Sequence, residues 1–198
     1  VYTSEKLNVI LEENSEIKLL INSISFVNST ADAMNLNVQV QCAPQSRLQF
    51  IQLQNEDLES FHFSQVQFEL ASNAQVSSLV LTMGNKLTRN YLSLKFNGEN
   101  ASAQVYGLAV VDAEQHVDNY TFLQHSKGNN NSIQHYKSIL SGSSRSVFRG
   151  RVLIEPNAQK ANSEQLNNNL LLTRSAQADS IPQLEIFADD VKAGHGST

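Results

Sequence analysis

The sequence predicts an all-β fold built from many short strands, and three observations carry that expectation. Apolar and polar residues alternate with a period of two over several segments, most clearly at Leu36, Val38, Val40 and Cys42. The parity of the alternation then switches repeatedly, although the whole chain holds only 8 Gly and 3 Pro to break it. Polarity is carried by Asn, Gln and Ser rather than by charge, which makes up 17% of the residues, and amides and hydroxyls suit stacked strands whose side chains form ladders. On these residues alone a parallel β-helix and a β-sandwich both remain open. With 198 residues, one domain covering 1–198 is expected.

Taken in order, residues 3–20 mix charge with Leu7, Ile10, Leu11, Ile17 and Leu20 and fit either a helical turn or a strand. Ile17, Leu19 and Ile21 then share one parity, and Ile24 and Phe26 the other. The run Leu36 to Cys42 places the single cysteine on an apolar face, where a free thiol behaves as a small hydrophobe. Leu48 and Phe50 point one way and Ile51 and Leu53 the other; Phe61 and Phe63 oppose Val66, Phe68 and Leu70. In a flat sheet such a slip turns the apolar set out to water, whereas at a coil corner the set stays inside. Asn-Ala recurs at 73–74, 100–101 and 157–158, with Ser175-Ala176 as a variant. The first two lie about 27 residues apart, within the range of stacked repeats. Each reads as a small residue beside an Asn that tolerates left-handed backbone at a corner. Leu92, Leu94 and Phe96 form a further strand, ended by Asn97-Gly98, a dipeptide that ordinarily signals a hairpin and so argues against a purely parallel coil. Residues 112–146 are polar and predict a longer loop or a rung with outward excursions.

The last third is the most informative. Phe148, Gly150, Val152 and Ile154 alternate with Arg149, Arg151 and Leu153, and a second strand follows at 182–186. Four strings stand out: FRG at 148–150, PNAQKANSEQLNNNLLL at 156–172, PQLEIFADDVK at 182–192 and HG at 195–196. Upstream, QHVDNYT at 115–121, His125 and YKSIL at 136–140 belong with them. In order and spacing these strings resemble the core of the SufB/SufD proteins, scaffold subunits of an iron–sulfur cluster assembly complex. PQLEI, then DDV, then His-Gly is the SufD-like form, whereas SufB-type chains carry His-Glu at that point. The resemblance implies a right-handed parallel β-helix, a solenoid of short strands. It also implies a scaffold rather than an enzyme, pairing with a SufB-like subunit and a SufC-type ATPase. SufD-like chains continue into a helical segment that docks on the ATPase. Here the chain opens at Val1 without Met and stops two residues after His-Gly, which predicts a segment of a longer protein.

The candidate site is His195 with Asp189 and Asp190. An imidazole between Gly194 and Gly196 sits on closely approachable backbone and can bind iron or move a proton. From spacing alone a surface-loop histidine is the favoured reading; the resemblance reverses this and places the matching residue at the interface with SufB, where a nascent cluster forms. Many SufD-type chains have Cys two residues before this His, but here the string is Lys192-Ala193-Gly194-His195-Gly196, so metal chemistry must lean on His195. No cofactor is therefore expected to bind stably to this chain alone, with iron or a cluster held only transiently in the complex. Asp189 and Asp190, as neighbours on an extended chain, would point to opposite faces and serve local turn formation. Asp-Asp and Gly-His-Gly also occur in polygalacturonases. A carbohydrate-active β-helix enzyme, and a β-helix that only mediates association, thus stand as alternatives. His116 and His125 match no zinc spacing and read as structural. Arg145, Arg149 and Arg151 share one parity and predict an outer strip, solvated or facing acidic groups of a partner.

The net charge of −5 argues against a nucleic-acid partner. No apolar run reaches the roughly 20 residues that span a bilayer, no signal peptide opens the chain, and one cysteine forms no intrachain disulfide; a cytoplasmic protein is expected. There is no phosphate-binding loop, nucleophile elbow or C-x-x-C, and Asn-x-Ser/Thr sites at Asn28, Asn100 and Asn119 carry little weight inside a cell. A solenoid with open ends exposes strand edges, which predicts a homodimer that imitates the SufB–SufD pairing through the strands near 182–191.

Overall fold

Strands of about ten residues separated by corners of about four let a chain return to the same place every two strands, and parallel pairing with the preceding coil follows. The structure, a computed structural model, describes residues 1–25 and 32–198. The described residues form fourteen strands and no helix: β1 (Tyr2–Leu11), β2 (Glu16–Ile24), β3 (Ala33–Cys42), β4 (Arg47–Asn55), β5 (Phe61–Leu70), β6 (Gln75–Thr82), β7 (Leu87–Phe96), β8 (Ser102–Val111), β9 (His116–His125), β10 (Asn131–Leu140), β11 (Arg145–Ile154), β12 (Asn162–Leu171), β13 (Gln177–Ile186) and β14 (Lys192–Ser197). Odd-numbered strands make one seven-stranded sheet and even-numbered strands the other, each in chain order. Every pairing is parallel. The fold is a flattened β-solenoid of seven rungs, and the β-helix expectation holds. Phe26 and the site at Asn28 lie outside the described residues.

The five strands expected to stack (36–42, 66–70, 92–96, 148–154 and 182–186) all belong to the odd sheet, and β9 sits between β7 and β11. Leu36, Val38, Val40 and Cys42, then Val66, Phe68 and Leu70, then Leu92, Leu94 and Phe96 form inward files. Files of identical height meet across the two sheets, as where the Phe50 and Phe68 rings approach edge to face at 5.4 Å. Residues 3–20 resolve as β1 and β2. Residues 112–146 hold two regular strands, β9 and β10, so no long loop exists there.

One row of corners is set by left-handed residues: Asn14, Gln45, Asn73, Asn100, Asn129 and Lys160, all with φ near +60°. Asn73 and Asn100 are followed by Ala74 and Ala101, both fully buried, which is the expected division of labour. The third Asn-Ala departs from it: Ala158 is buried, but the left-handed position in that corner is Lys160. Asn97-Gly98 is no hairpin. A Cβ on Gly98 would lie 2.0 Å from the Ser72 amide nitrogen of the previous rung, so the glycine permits close stacking of corners.

The parity switches are not corners. β4 runs straight through, with Ile51 and Leu53 facing out and Gln52 and Gln54 fully buried. β5 does the same, turning Phe61 and Phe63 outward and His62 and Ser64 inward. The interior at this end of the rungs is polar and internally satisfied in large part. His62 Nδ1 lies 2.8 Å from Glu56 Oε2, and Asn85 Nδ2 donates to the same carboxylate. Gln54 donates to Asn90 Oδ1 and accepts from Thr82, while Asn90 donates to Asn119. The period-two rule held; the assumption that the inside is apolar did not.

Cys42 is 3% exposed, and burial pushes its thiol up to about 11 despite the opposing hydrogen bond with Ser46. The native protein should therefore resist Ellman's reagent at pH 8 and react fully once unfolded in urea. Cys42→Ser should cost about 1–3 kcal/mol in urea unfolding, because a hydroxyl replaces a small hydrophobe in the core. Fast native labelling would contradict the inward placement.

Candidate functional site

β14 is the last strand of the even sheet and pairs only with β12 among the described residues. The expected loop around His195 is thus a strand, a correction that follows from main-chain pairing of 192–197 with 162–167. His195 stands beside Gln165, and it continues the inward file Phe50, Ser78, Val105, Gln134 and Gln165 to the open end of the solenoid. Among the described residues no strand pairs with the other edge of β14, and the imidazole is exposed. Gly194 would place a Cβ in open space, so the backbone before His195 is open to approach, whereas a Cβ on Gly196 would lie 3.0 Å from Leu166 Cδ2 and that side packs on β12.

Behind His195 the file is polar. Thr121 on the opposite sheet donates to Gln134 Oε1 at 2.5 Å. Gln165 is 1% exposed, and neither its amide nitrogen nor its amide oxygen has a partner. It fits between the sheets because the facing position is glycine: a Cβ on Gly150 would lie 1.7 Å from Gln165 Nε2. Gly107 makes room in the same way for the Tyr136 ring, which stacks on Phe148 at 4.8 Å. Periodicity could not single out this polar file, since Gln134 and Gln165 look like solvent-facing residues of polar strands. The FRG string held the signal, a glycine at an inward position.

Asp189 and Asp190 lie at the corner between β13 and β14, both exposed. Asp190 is tied to the corner of the rung before: its amide donates to Gln159 Oε1 at 2.9 Å, and its carbonyl accepts from the Lys160 amide. The corner borders a shallow groove that also holds Lys160 and Lys192. Both hydrogen bonds of Asp190 belong to its main chain, not to its carboxylate. The described residues contain no group of three or more His, Cys, Asp or Glu side chains arranged to hold a metal ion. His195, Asp189 and Asp190 therefore share the open end of the solenoid without forming a ligand set.

His125 is fully buried, stacked on Phe96 at 4.4 Å between ring centroids. Its Nε2 lies 2.9 Å from Ser132 Oγ, which donates onward to Ser163 Oγ. Burial pushes this imidazole down to about 4. His116 lies half-buried on the outer face, and burial together with Arg145 keeps it below the usual range. Both act as structural histidines. Of the arginine strip, Arg145 pairs with Asp179 and Arg151 with Glu185, while Arg149 is exposed and has no ion pair among the described residues. Two of the three are satisfied within the chain.

The site is thus an exposed imidazole on the last described strand of a parallel β-solenoid, backed by a buried amide file. Residues 1–198 match the family described as SUF system FeS cluster assembly, SufBD core domain, and the chain belongs to that family. It is 35% identical over 188 residues to the iron-sulfur cluster assembly protein SufD of Escherichia coli, covering 95% of this chain and 44% of that protein. It is 28% identical to SufD of Plasmodium berghei, covering 99% of this chain and 15% of that protein. It is 25% identical to a SufBD family protein of Synechocystis, over all of this chain and 45% of that protein. The chain thus spans less than half the length of these relatives. No helix of the described residues is long and apolar enough to cross a membrane.

The His125 geometry sets a pH dependence. The unfolded imidazole titrates near 6.5 and the folded one near 4, so between these values the unfolded state binds more protons and stability falls as pH falls. The loss should be on the order of 3 kcal/mol by pH 4. Urea unfolding at pH 7 and pH 4.5 should show the slope in the native protein and a shallower one in His125→Phe. Equal slopes would mean that other groups govern it.

Proposed function

We propose that this chain is the core of a SufD-type scaffold, which supports iron acquisition and cluster assembly without catalytic activity of its own. In this reading it pairs with a SufB-like subunit and works with a SufC-type ATPase in the cytoplasm. The family match over the whole chain carries the reading, and the 35% identity to a protein named SufD favours the SufD side of the family. It also favours a scaffold over a carbohydrate-active β-helix. The physical features at the open end agree with it. Strand β14 offers a main-chain edge among the described residues, and Ile186 and Phe187 at the end of β13, before the corner that leads to it, are 42% and 62% exposed. A free edge with apolar neighbours suits pairing with another sheet.

Iron or a nascent cluster is the cargo of this site. His195 supplies one imidazole, and Asp189 and Asp190 lie at the adjacent corner, near the iron but not as a ligand set with it. Iron–sulfur chemistry favours thiolates, and Cys42 is enclosed in the core, so the SufB-like subunit provides them. The isolated chain accordingly holds no stable cluster.

In the assembled complex, His195→Ala should abolish or strongly slow cluster formation followed by visible absorbance. Its thermal transition should stay within about 0.5 kcal/mol of the parent, as is usual for exposed positions. Cys42→Ser should do the reverse, losing stability but still assembling clusters. Normal cluster formation by His195→Ala, or loss of it in well-folded Cys42→Ser, would overturn these roles.

A further inference from the structure

Buried polar side chains nearly always find partners, so an inward file in which several do not marks an incomplete network. Such a file runs through the last three rungs. Thr121 and Gln134 face each other in the fifth rung and Gly150 and Gln165 in the sixth, while Pro182 and His195 stand at the same height in the seventh. Thr121, Gln134 and Gln165 are each no more than 1% exposed. Thr121 donates to Gln134 Oε1, which leaves Gln134 Nε2 without a partner among the described residues. Gln165 lies in register between Gln134 and His195, and neither of its amide atoms has a partner there. Three unpartnered atoms therefore lead, one after another, to a single imidazole. The gap left by Gly150 lets the Gln165 amide turn, because the terminal torsion of glutamine is soft.

We propose that Gln165 is a positioning residue for His195, donating from its amide nitrogen to the ring nitrogen that faces it. The sense of the file decides the direction. Thr121 gives its proton to the Gln134 carbonyl, so Gln134 has only N–H left to offer its neighbour. The Gln165 carbonyl is the acceptor in register with it, and Gln165 then turns N–H towards His195. A neutral imidazole that accepts on one nitrogen carries its proton on the other. His195 thus presents an N–H away from Gln165, not a lone pair. Binding a metal needs the lone pair, whereas an N–H binds an anionic acceptor such as a thiolate or a sulfide of the cluster. This consequence rests on the scaffold reading above, and it makes His195 a donor to the sulfur of the cargo while thiolates hold the iron. The tautomer itself depends only on the file.

Nitrogen-15 spectra of the full-length protein labelled at histidine test the assignment, recorded at about pH 9, where a free imidazole is neutral. The signals lost in His195→Ala identify its ring. That ring should hold one dominant tautomer. Gln165→Leu should change the tautomer ratio on the order of fivefold, the equivalent of one net hydrogen bond. Gln165→Glu, whose carboxylate only accepts, should invert the preferred tautomer. Thr121→Val, two rungs from the ring, should move the ratio towards that of Gln165→Leu, because the file loses the donor that sets its sense. An unchanged ratio in either apolar variant overturns the proposal, and these two decide the matter even if Gln165→Glu does not fold. A folded Gln165→Glu that keeps the native tautomer also overturns it, since Gln165 would then be an acceptor. In the assembled complex Gln165→Glu should slow cluster formation on the order of fivefold although His195 is present, by the same equivalence. An unchanged rate would remove the outward N–H from that step. Normal cluster formation by His195→Ala would instead overturn the scaffold reading, whatever the tautomer.

Discussion

Everything in this molecule depends on parallel stacking in register. Neighbouring strands lie about 4.8 Å apart, so each side chain sits directly over its counterpart in the rungs before and after it. A file is therefore the unit of packing, and what one rung places at a given height constrains the next. Glycine appears where a neighbour is too large for a second side chain: Gly107 beside Tyr136, and Gly150 facing Gln165. Corners obey the same rule, since the left-handed residues recur in a row and the Gly98 backbone rests on Ser72.

Stacking also explains how polar groups occupy the core. Gln54, Asn90 and Asn119 come from β4, β7 and β9, and their amides bond to one another across and along the sheets. A slip of two residues would keep an apolar set inside but break this chain of amides, so the network gives the rungs a register that burial alone leaves loose. The cost is a short list of buried atoms without partners, among them Gln52 Oε1, Asn85 Oδ1 and both amide atoms of Gln165. The last of these lies directly behind His195.

The same geometry decides where interactions can occur. A solenoid has two faces and two ends, and here they are chemically distinct. The odd face carries three side-chain ion pairs, the even face carries files of outward leucine and isoleucine, and the last described strand carries an exposed imidazole. Assembly proteins of the SufBD family act through subunit contacts in the reading given above, and this division of surfaces provides separate places for them.

The alternation at 36–42, 92–96 and 148–154 was enough to define strands, because period two is a local property of extended backbone. The Asn-Ala pairs at 73 and 100 marked corners for an equally local reason, the tolerance of Asn for left-handed φ. The family was legible in the strings at 148–172 and 182–196, and His195 with it. Other features were settled only by tertiary structure. Whether Ile51 or Gln52 faces inward depends on what the opposite sheet offers, and His62, Thr82 and Asn90 make the inward choice polar. The strand status of 192–197 required β12 as a template, since Lys-Ala-Gly-His-Gly has no apolar rhythm of its own. The buried file behind His195 needed Gly150 from one sheet and Gln165 from the other, fifteen residues apart in the chain and face to face only after the rung has turned.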